Sequence, residues 1–217
     1  MYFKNFGKFF LKKEIAMKKI GIIGDSIAHG FYDENNLGWV ARLAQKMLQK
    51  KSGEYVFNNM SQAGDNIADA SFRATAEALT RSFDVIIVNI GINDLRRRKD
   101  SNLETDISEG NRVVYWNRLL DTLNKTNAKI IVTDLIPVIE NRYTEKATLI
   151  RRNEDVEKYN QIIANICKER NITFFARYHN WKNRNLEDLY KDANHPNAKG
   201  HEILADELFD FLQKIGI

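Results

Sequence analysis

The chain has 217 residues, of which 43% are hydrophobic and 29% charged, enough for one domain that buries about 70% of the surface its unfolded form would expose. No apolar run reaches the roughly 18 residues a membrane-spanning helix needs, and a single cysteine, Cys167, excludes an internal disulfide. The net charge of +4 is the small difference between 33 basic and 29 acidic residues spread along the chain, and no aromatic residues interleave with the basic clusters, so no nucleic-acid partner is expected.

Residues 1–16, "MYFKNFGKFFLKKEIA", come first and read apart from the rest. Tyr2, Phe3, Phe6, Phe9 and Phe10 recur at helical spacing with lysines between them, which allows a short amphipathic helix touching a membrane surface. The alternative is a disordered or appended extension. It is not a signal peptide, since lysines interrupt the apolar stretch and no small-residue cleavage site follows, so a cytoplasmic location is expected. The domain proper is placed at 17–217.

From Met17 onward, short β-branched runs alternate with longer amphipathic stretches. Strands are predicted over 19–24 "KIGIIG", 54–60 "EYVFNNM", 84–91 "DVIIVNIG", 128–137 "AKIIVTDLIP" and 171–176 "NITFFA". Three are apolar almost throughout, as strands buried on both faces are. Helices are predicted over 38–51, 67–81, 109–126, 153–170 and 197–214. The alternation implies right-handed βαβ units, and hence a three-layer α/β/α sandwich of flavodoxin-like type with a mainly parallel five-stranded sheet. The stretch 138–152, "VIENRYTEKATLIRR", has no assigned structure, but following the fourth strand it belongs on the ligand side of the sheet.

Four stretches fall at that rim: Gly24-Asp25-Ser26, Ala63-Gly64-Asp65, Gly91-Ile92-Asn93-Asp94, and Asp192-Ala193-Asn194-His195-Pro196. They bring together a hydroxyl, an unobstructed backbone amide, a carboxamide and an Asp/His pair, the parts that acyl transfer needs. A serine becomes nucleophilic when a base takes its proton, a neutral histidine is such a base, and a carboxylate on the other ring nitrogen fixes the tautomer. Asp192 and His195 are close enough in sequence to meet across one turn, and Pro196 suits the first position of the last helix. The N–H groups of Ser26 and Gly64 and the side-chain amide of Asn93 are candidate donors to an oxyanion.

The set "IGDSIAHG", "SQAGDN", "IGIND" and "DANHP" resembles the four sequence blocks of the SGNH, or GDSL-type, hydrolases. The resemblance covers nearly all of the chain from Met17, and the first block departs from the pattern only in reading GDSI, at an apolar position. It implies a serine esterase or acylhydrolase in which Ser26 is the nucleophile, His195 and Asp192 complete the triad, and Ser26, Gly64 and Asn93 form the oxyanion hole. The substrate would be a carboxylic ester, a short acyl or acetyl group on a lipid, carbohydrate or small alcohol. The alternative is a non-catalytic small-molecule or nucleotide-binding module on the same fold, although neither dinucleotide nor P-loop glycine patterns follow the first strand.

Among the remaining residues, Asp25 is expected to brace the nucleophile's loop and Asp94 to order the turn holding Asn93. Trp39 either walls the substrate pocket or belongs to the core. Arg96, Arg97, Arg98 and Lys99 either contact an anionic substrate or form a solvated loop, and Arg151-Arg152 reads as solvated surface. His29, His179 and His201 lack partners at metal-ligand spacing, so no metal or cofactor is expected.

Overall fold

Each β-branched run becomes a strand where its neighbours can supply a ladder, and ends where they stop. The computed structural model describes residues 17–50, 53–98, 100, 102–144 and 147–217, so the expectations for residues 1–16 and for Lys99 lie outside the described residues. In chain order the strands are β1 (Lys18–Gly24), β2 (Tyr55–Asn59), β3 (Val85–Asn89), β4 (Arg97–Arg98), β5 (Lys129–Thr133), β6 (Leu149–Ile150) and β7 (Thr173–Phe175). The α-helices are α1 (Ser26–His29), α2 (Gly38–Lys50), α3 (Ile67–Ala78), α4 (Glu109–Leu123), α5 (Asn153–Glu169), α6 (Tyr178–Lys182) and α7 (Ala198–Lys214).

Five strands form a wholly parallel sheet in the order β2-β1-β3-β5-β7. Ile22 pairs with Ile87 and Val88 with Val132, so the three central strands align their apolar residues. Ile20, Ile22, Ile23, Ile86, Ile87, Ile131 and Val132 are fully buried, which requires cover on both faces. Helices α2 and α7 pack together on one face, and α3, α4 and α5 in succession on the other. This is the expected doubly wound sandwich.

The fourth predicted strand ran to residue 137, but β5 stops at Thr133, where its β7 partner also ends at Phe175. Beyond that point the chain stays buried while its backbone is held by side chains of α5. Asn160 accepts from Leu135 N at 2.8 Å, and Asn153 brackets Val138, accepting from its N at 2.8 Å and donating to its O at 2.9 Å. Among the described residues 138–152, β6 pairs antiparallel with β4, Arg97 opposite Ile150 and Arg98 opposite Leu149. That two-residue ribbon ties the loop after β3 to the loop after β5, and it delivers the next residue, Arg151, to the rim of the sheet.

Candidate active site

β1 leads straight into the first candidate stretch. Gly24 is obligatory by packing, since a Cβ there would lie 2.5 Å from the Ala28 Cβ and 2.7 Å from the Asn89 carbonyl. Asp25 is the N-cap of α1: its Oδ1 accepts from Ile27 N at 2.9 Å. It is this residue that braces the turn, and Ser26 is the first helical residue rather than the cap. Burial lifts the Asp25 carboxyl to about 6, opposed by the Ile27 N–H and by the charges of His195 and Arg151.

Two loops carry the candidate oxyanion donors. Asp65 N bonds Gln62 O at 3.3 Å, closing a turn with Gly64 in the left-handed region at φ 91. A Cβ on Gly64 would meet nothing within 4 Å, so backbone conformation, with open space beside it, selects glycine here. Gly91, at φ 129, has the other reason: a Cβ would lie 2.5 Å from the Tyr159 ring. Tyr159 donates to Asp94 Oδ2 at 2.5 Å while Asp94 Oδ1 accepts from Ile67 N at 2.9 Å. Asp94 thus ties the Asn93 turn to the start of α3, and burial pushes its carboxyl up to about 7 against those two hydrogen bonds.

Asn93 itself is held at both ends. Its Nδ2 donates one hydrogen to Asp65 O at 2.9 Å, leaving the second for a ligand. Its Oδ1 accepts from Arg151 Nη2 at 2.8 Å. Arg151 is buried, and its fork also donates to Ile92 O at 2.9 Å and to Asn194 Oδ1 at 3.1 Å. One guanidinium therefore spans the Asn93 turn and the loop carrying His195. The expectation of solvated surface for Arg151 was wrong. The signal available in the sequence was position: Arg151 stands between two apolar residues and the start of a helix, on the ligand side of the sheet.

Asp192 folds its turn around itself. Oδ1 accepts from both Asn194 N and His195 N at 2.8 Å, and Oδ2 faces His195 Nδ1 at 2.7 Å. Burial would raise the Asp192 carboxyl, but the His195 and Asn194 hydrogen bonds and the His195 charge outweigh it and hold it below the usual range. His195 Nε2 then lies 2.9 Å from Ser26 Oγ. A hydroxyl, an imidazole and a carboxylate form one unbroken hydrogen-bonded chain, with the donors of Gly64 and Asn93 on neighbouring loops. Such a chain can move the serine proton to the histidine while the carboxylate retains the Nδ1 hydrogen.

Trp39 is fully buried in the core, the second of the two places open to it from the sequence. Pro196 is not the first residue of α7: Asn197 is the N-cap, accepting from Gly200 N at 3.0 Å, and Pro196 bridges to Tyr190 just before it. Arg96 pairs with Asp106 at 2.9 Å, Arg97 with Asp155 at 2.7 Å and Arg98 with Asp106 at 3.2 Å. These three guanidinium groups serve loop structure and leave no cluster for an anionic substrate. His201 is buried in α7, where desolvation lowers it to about 4. Phe31 and Tyr32, which sequence reasoning passed over, lie against His195 with ring centroids at 5.8 Å and 5.2 Å.

Among the described residues no helix is long and apolar enough to cross a membrane. The family model for the GDSL-like lipase/acylhydrolase family matches residues 22–203. Among curated proteins no sequence relative matches. Solved structures similar to the chain include the lipase/acylhydrolase from Enterococcus faecalis, 18% identical, with a TM-score of 0.74 over 92% of this chain and 97% of that one. A metagenomic α/β hydrolase from Lake Arreo, Spain, is 22% identical, with a TM-score of 0.74 over 93% and 96% of the two chains. A variant of an acetyl xylan esterase from Geobacillus stearothermophilus is also 22% identical, with a TM-score of 0.73 over 93% and 96%. At these identities the likeness is one of fold, whereas the family match runs from the strand before Ser26 to the helix after His195: the chain belongs to the GDSL-like lipase/acylhydrolase family and is a carboxylic ester hydrolase.

Proposed function

We propose that the enzyme cleaves a short-chain carboxylic ester through an acyl-enzyme on Ser26. The observation that carries this is the chain Ser26 Oγ to His195 Nε2 at 2.9 Å and His195 Nδ1 to Asp192 Oδ2 at 2.7 Å. With its hydrogen on Nδ1, the neutral imidazole offers the Nε2 lone pair to the hydroxyl. Ser26 Oγ bonds to the carbonyl carbon as its proton passes to Nε2. The carbonyl electron pair moves to oxygen, where the N–H groups of Ser26 and Gly64 and the free hydrogen of Asn93 Nδ2 receive it. Each such donor is worth roughly a hundredfold to a thousandfold in kcat. Collapse breaks the bond to the alcohol oxygen, which leaves with the imidazolium proton. Water then repeats the sequence on the acyl-serine, giving its proton to His195 and releasing the carboxylic acid.

Space supports a short acyl group. The enclosed cavity beside α1, lined by Asp25, Ile27, Asn89, Ile92 and Arg177 among others, has room for about one water and no acyl chain. The acyl group is then assigned to the rim beside Gly64, where an added Cβ would meet nothing within 4 Å. Three of the structural neighbours, two of them variants of one enzyme, are named acetyl xylan esterases, which accords with a small acyl group. Reaction with a fluorophosphonate probe, followed by peptide mapping, tests the assignment. The expected adduct is on Ser26 and disappears in Ser26→Ala; a folded wild-type protein that stays unlabelled, or is labelled at another serine, refutes it.

A further inference from the structure

Phe31 and Tyr32 follow the nucleophile's helix directly and are 43% and 48% exposed. Their loop is nevertheless tied down along its length. Phe31 N bonds Ser26 O at 2.9 Å, Phe31 O faces His201 Nε2 at 3.3 Å, and Asp33 N bonds Gly30 O at 3.2 Å. The buried Asp33 carboxylate accepts from Asn35 N at 2.9 Å, Gly38 N at 2.8 Å and the Arg42 guanidinium. Gly30 and Gly38 touch, since a Cβ on Gly30 would lie 2.8 Å from the Gly38 Cα. Two apolar rings are therefore presented to solvent on a fixed frame, edge to face with one another at 4.9 Å and 81° and both against His195. A binding surface that is built before the ligand arrives has this form.

Reaction geometry says which part of an ester meets it. His195 hands its proton to the departing alcohol oxygen, so that oxygen comes within reach of Nε2 and of the two rings beside it, while the carbonyl oxygen faces Gly64 and Asn93. The geometry points to Phe31 and Tyr32 as the subsite for the alcohol, with a sugar ring, a pyranose esterified at one hydroxyl, as its occupant. The surroundings favour a sugar over an alkyl chain. Past the two rings come exposed Glu34, Asn35 and Asn36, with Lys191 3.7 Å from Glu34. A hydrocarbon chain would leave the rings for charged surface, whereas a pyranose places its C–H face on an aromatic ring and its hydroxyls among polar groups.

This rests on the acyl-enzyme reading, and the test separates the two. Values of kcat/KM are measured for a monoacetylated methyl pyranoside, octyl acetate and methyl acetate, with the wild type, the double variant Phe31→Leu/Tyr32→Leu, and Tyr32→Phe. Urea midpoints check folding. The expected result is that the wild type prefers the sugar acetate to methyl acetate, and that this ratio falls about tenfold in the double variant while Tyr32→Phe keeps it. Equal losses on the sugar and methyl esters, or a loss confined to octyl acetate, overturn the sugar subsite. So does a wild type that labels at Ser26 yet shows no preference for the sugar. A wild type that neither labels at Ser26 nor hydrolyses any of the acetates overturns the acyl-enzyme reading itself, and the subsite with it.

Discussion

Replacing Arg151 by methionine keeps much of the side chain's length and apolar stem but removes the fork that joins the two halves of the site. Three buried or half-buried acceptors lose their donor: Ile92 O, Asn93 Oδ1 and Asn194 Oδ1. An unsatisfied buried acceptor costs about 1–3 kcal/mol, and no longer burying a charge offsets part of the sum, so a net loss of stability of roughly 2–4 kcal/mol is expected. The effect on catalysis follows from Asn93. On the proposed mechanism, with Oδ1 unheld the carboxamide is free to present its oxygen instead of Nδ2 to the oxyanion, and losing one donor lowers kcat by about a hundredfold to a thousandfold with little change in KM. Arg151→Lys places one ammonium where a planar fork was and restores only part of the rate. Steady-state kinetics on a small acetate ester, below the unfolding range of every variant, measure this. The decisive comparison is with Asn93→Ala: if Arg151 acts through Asn93, adding Arg151→Met to that variant lowers kcat by less than about threefold. Losses that multiply in the double variant refute the positioning role and leave Arg151 a structural residue.

Two further outcomes concern the frame of the site. Gly91→Ala drives a Cβ into the Tyr159 ring at 2.5 Å, at φ 129, so a loss of about 2–3 kcal/mol in urea unfolding is expected; a change below about 0.5 kcal/mol would show that Tyr159 yields freely. For pH, Asp94 titrates at about 7 when folded against 3.8 as the ordinary value. The folded state therefore holds the extra proton between those limits, and the stability this group contributes is full below about 4 and lost as pH rises through about 7, by roughly 4 kcal/mol. Asp25, at about 6, acts in the same direction over a lower range, and His201, at about 4, acts oppositely as pH rises toward 6.5. Between pH 6.5 and 8 Asp94 is the clearest of the three, so the wild-type urea midpoint falls there and Asp94→Asn flattens the fall. An equal fall in the variant refutes the assignment.

The five strands and the five long helices were legible because each is specified by its own residues. Ile20, Ile22 and Ile23, or Val85 to Val88, cannot be placed anywhere but a doubly covered sheet, and the Asn66 and Asn197 caps mark where α3 and α7 begin. The ends were less legible: β5 stops at Thr133 although "DLIP" continues the apolar pattern, because a strand ends with its partner's ladder and that partner lies about forty residues away. Trp39 stayed undecided for a related reason. Periodicity says that a tryptophan is turned inward, but whether inward means core or pocket depends on what α7, the last helix of the chain, brings against α2.

The site divides along the same line. Ser26, Gly64, Asn93, Asp192 and His195 each sit in a short stretch whose local chemistry is visible: a cap before the serine, a left-handed glycine, a carboxylate that bonds two N–H groups of its own turn. Arg151 has no such local mark. Its neighbour Arg152, identical in type, is exposed, and what separates them is the pairing of Arg97 with Ile150 across more than fifty residues. That pairing sets the register in which the chain leaves β6, and a shift of one residue there would turn Arg151 outward and send Arg152 toward Asn93. The orientation of the Asn93 amide is thus decided by a two-residue ribbon remote from it in sequence, which is why the residue types of the candidate site could be read from its blocks while the contact that holds them in register could not.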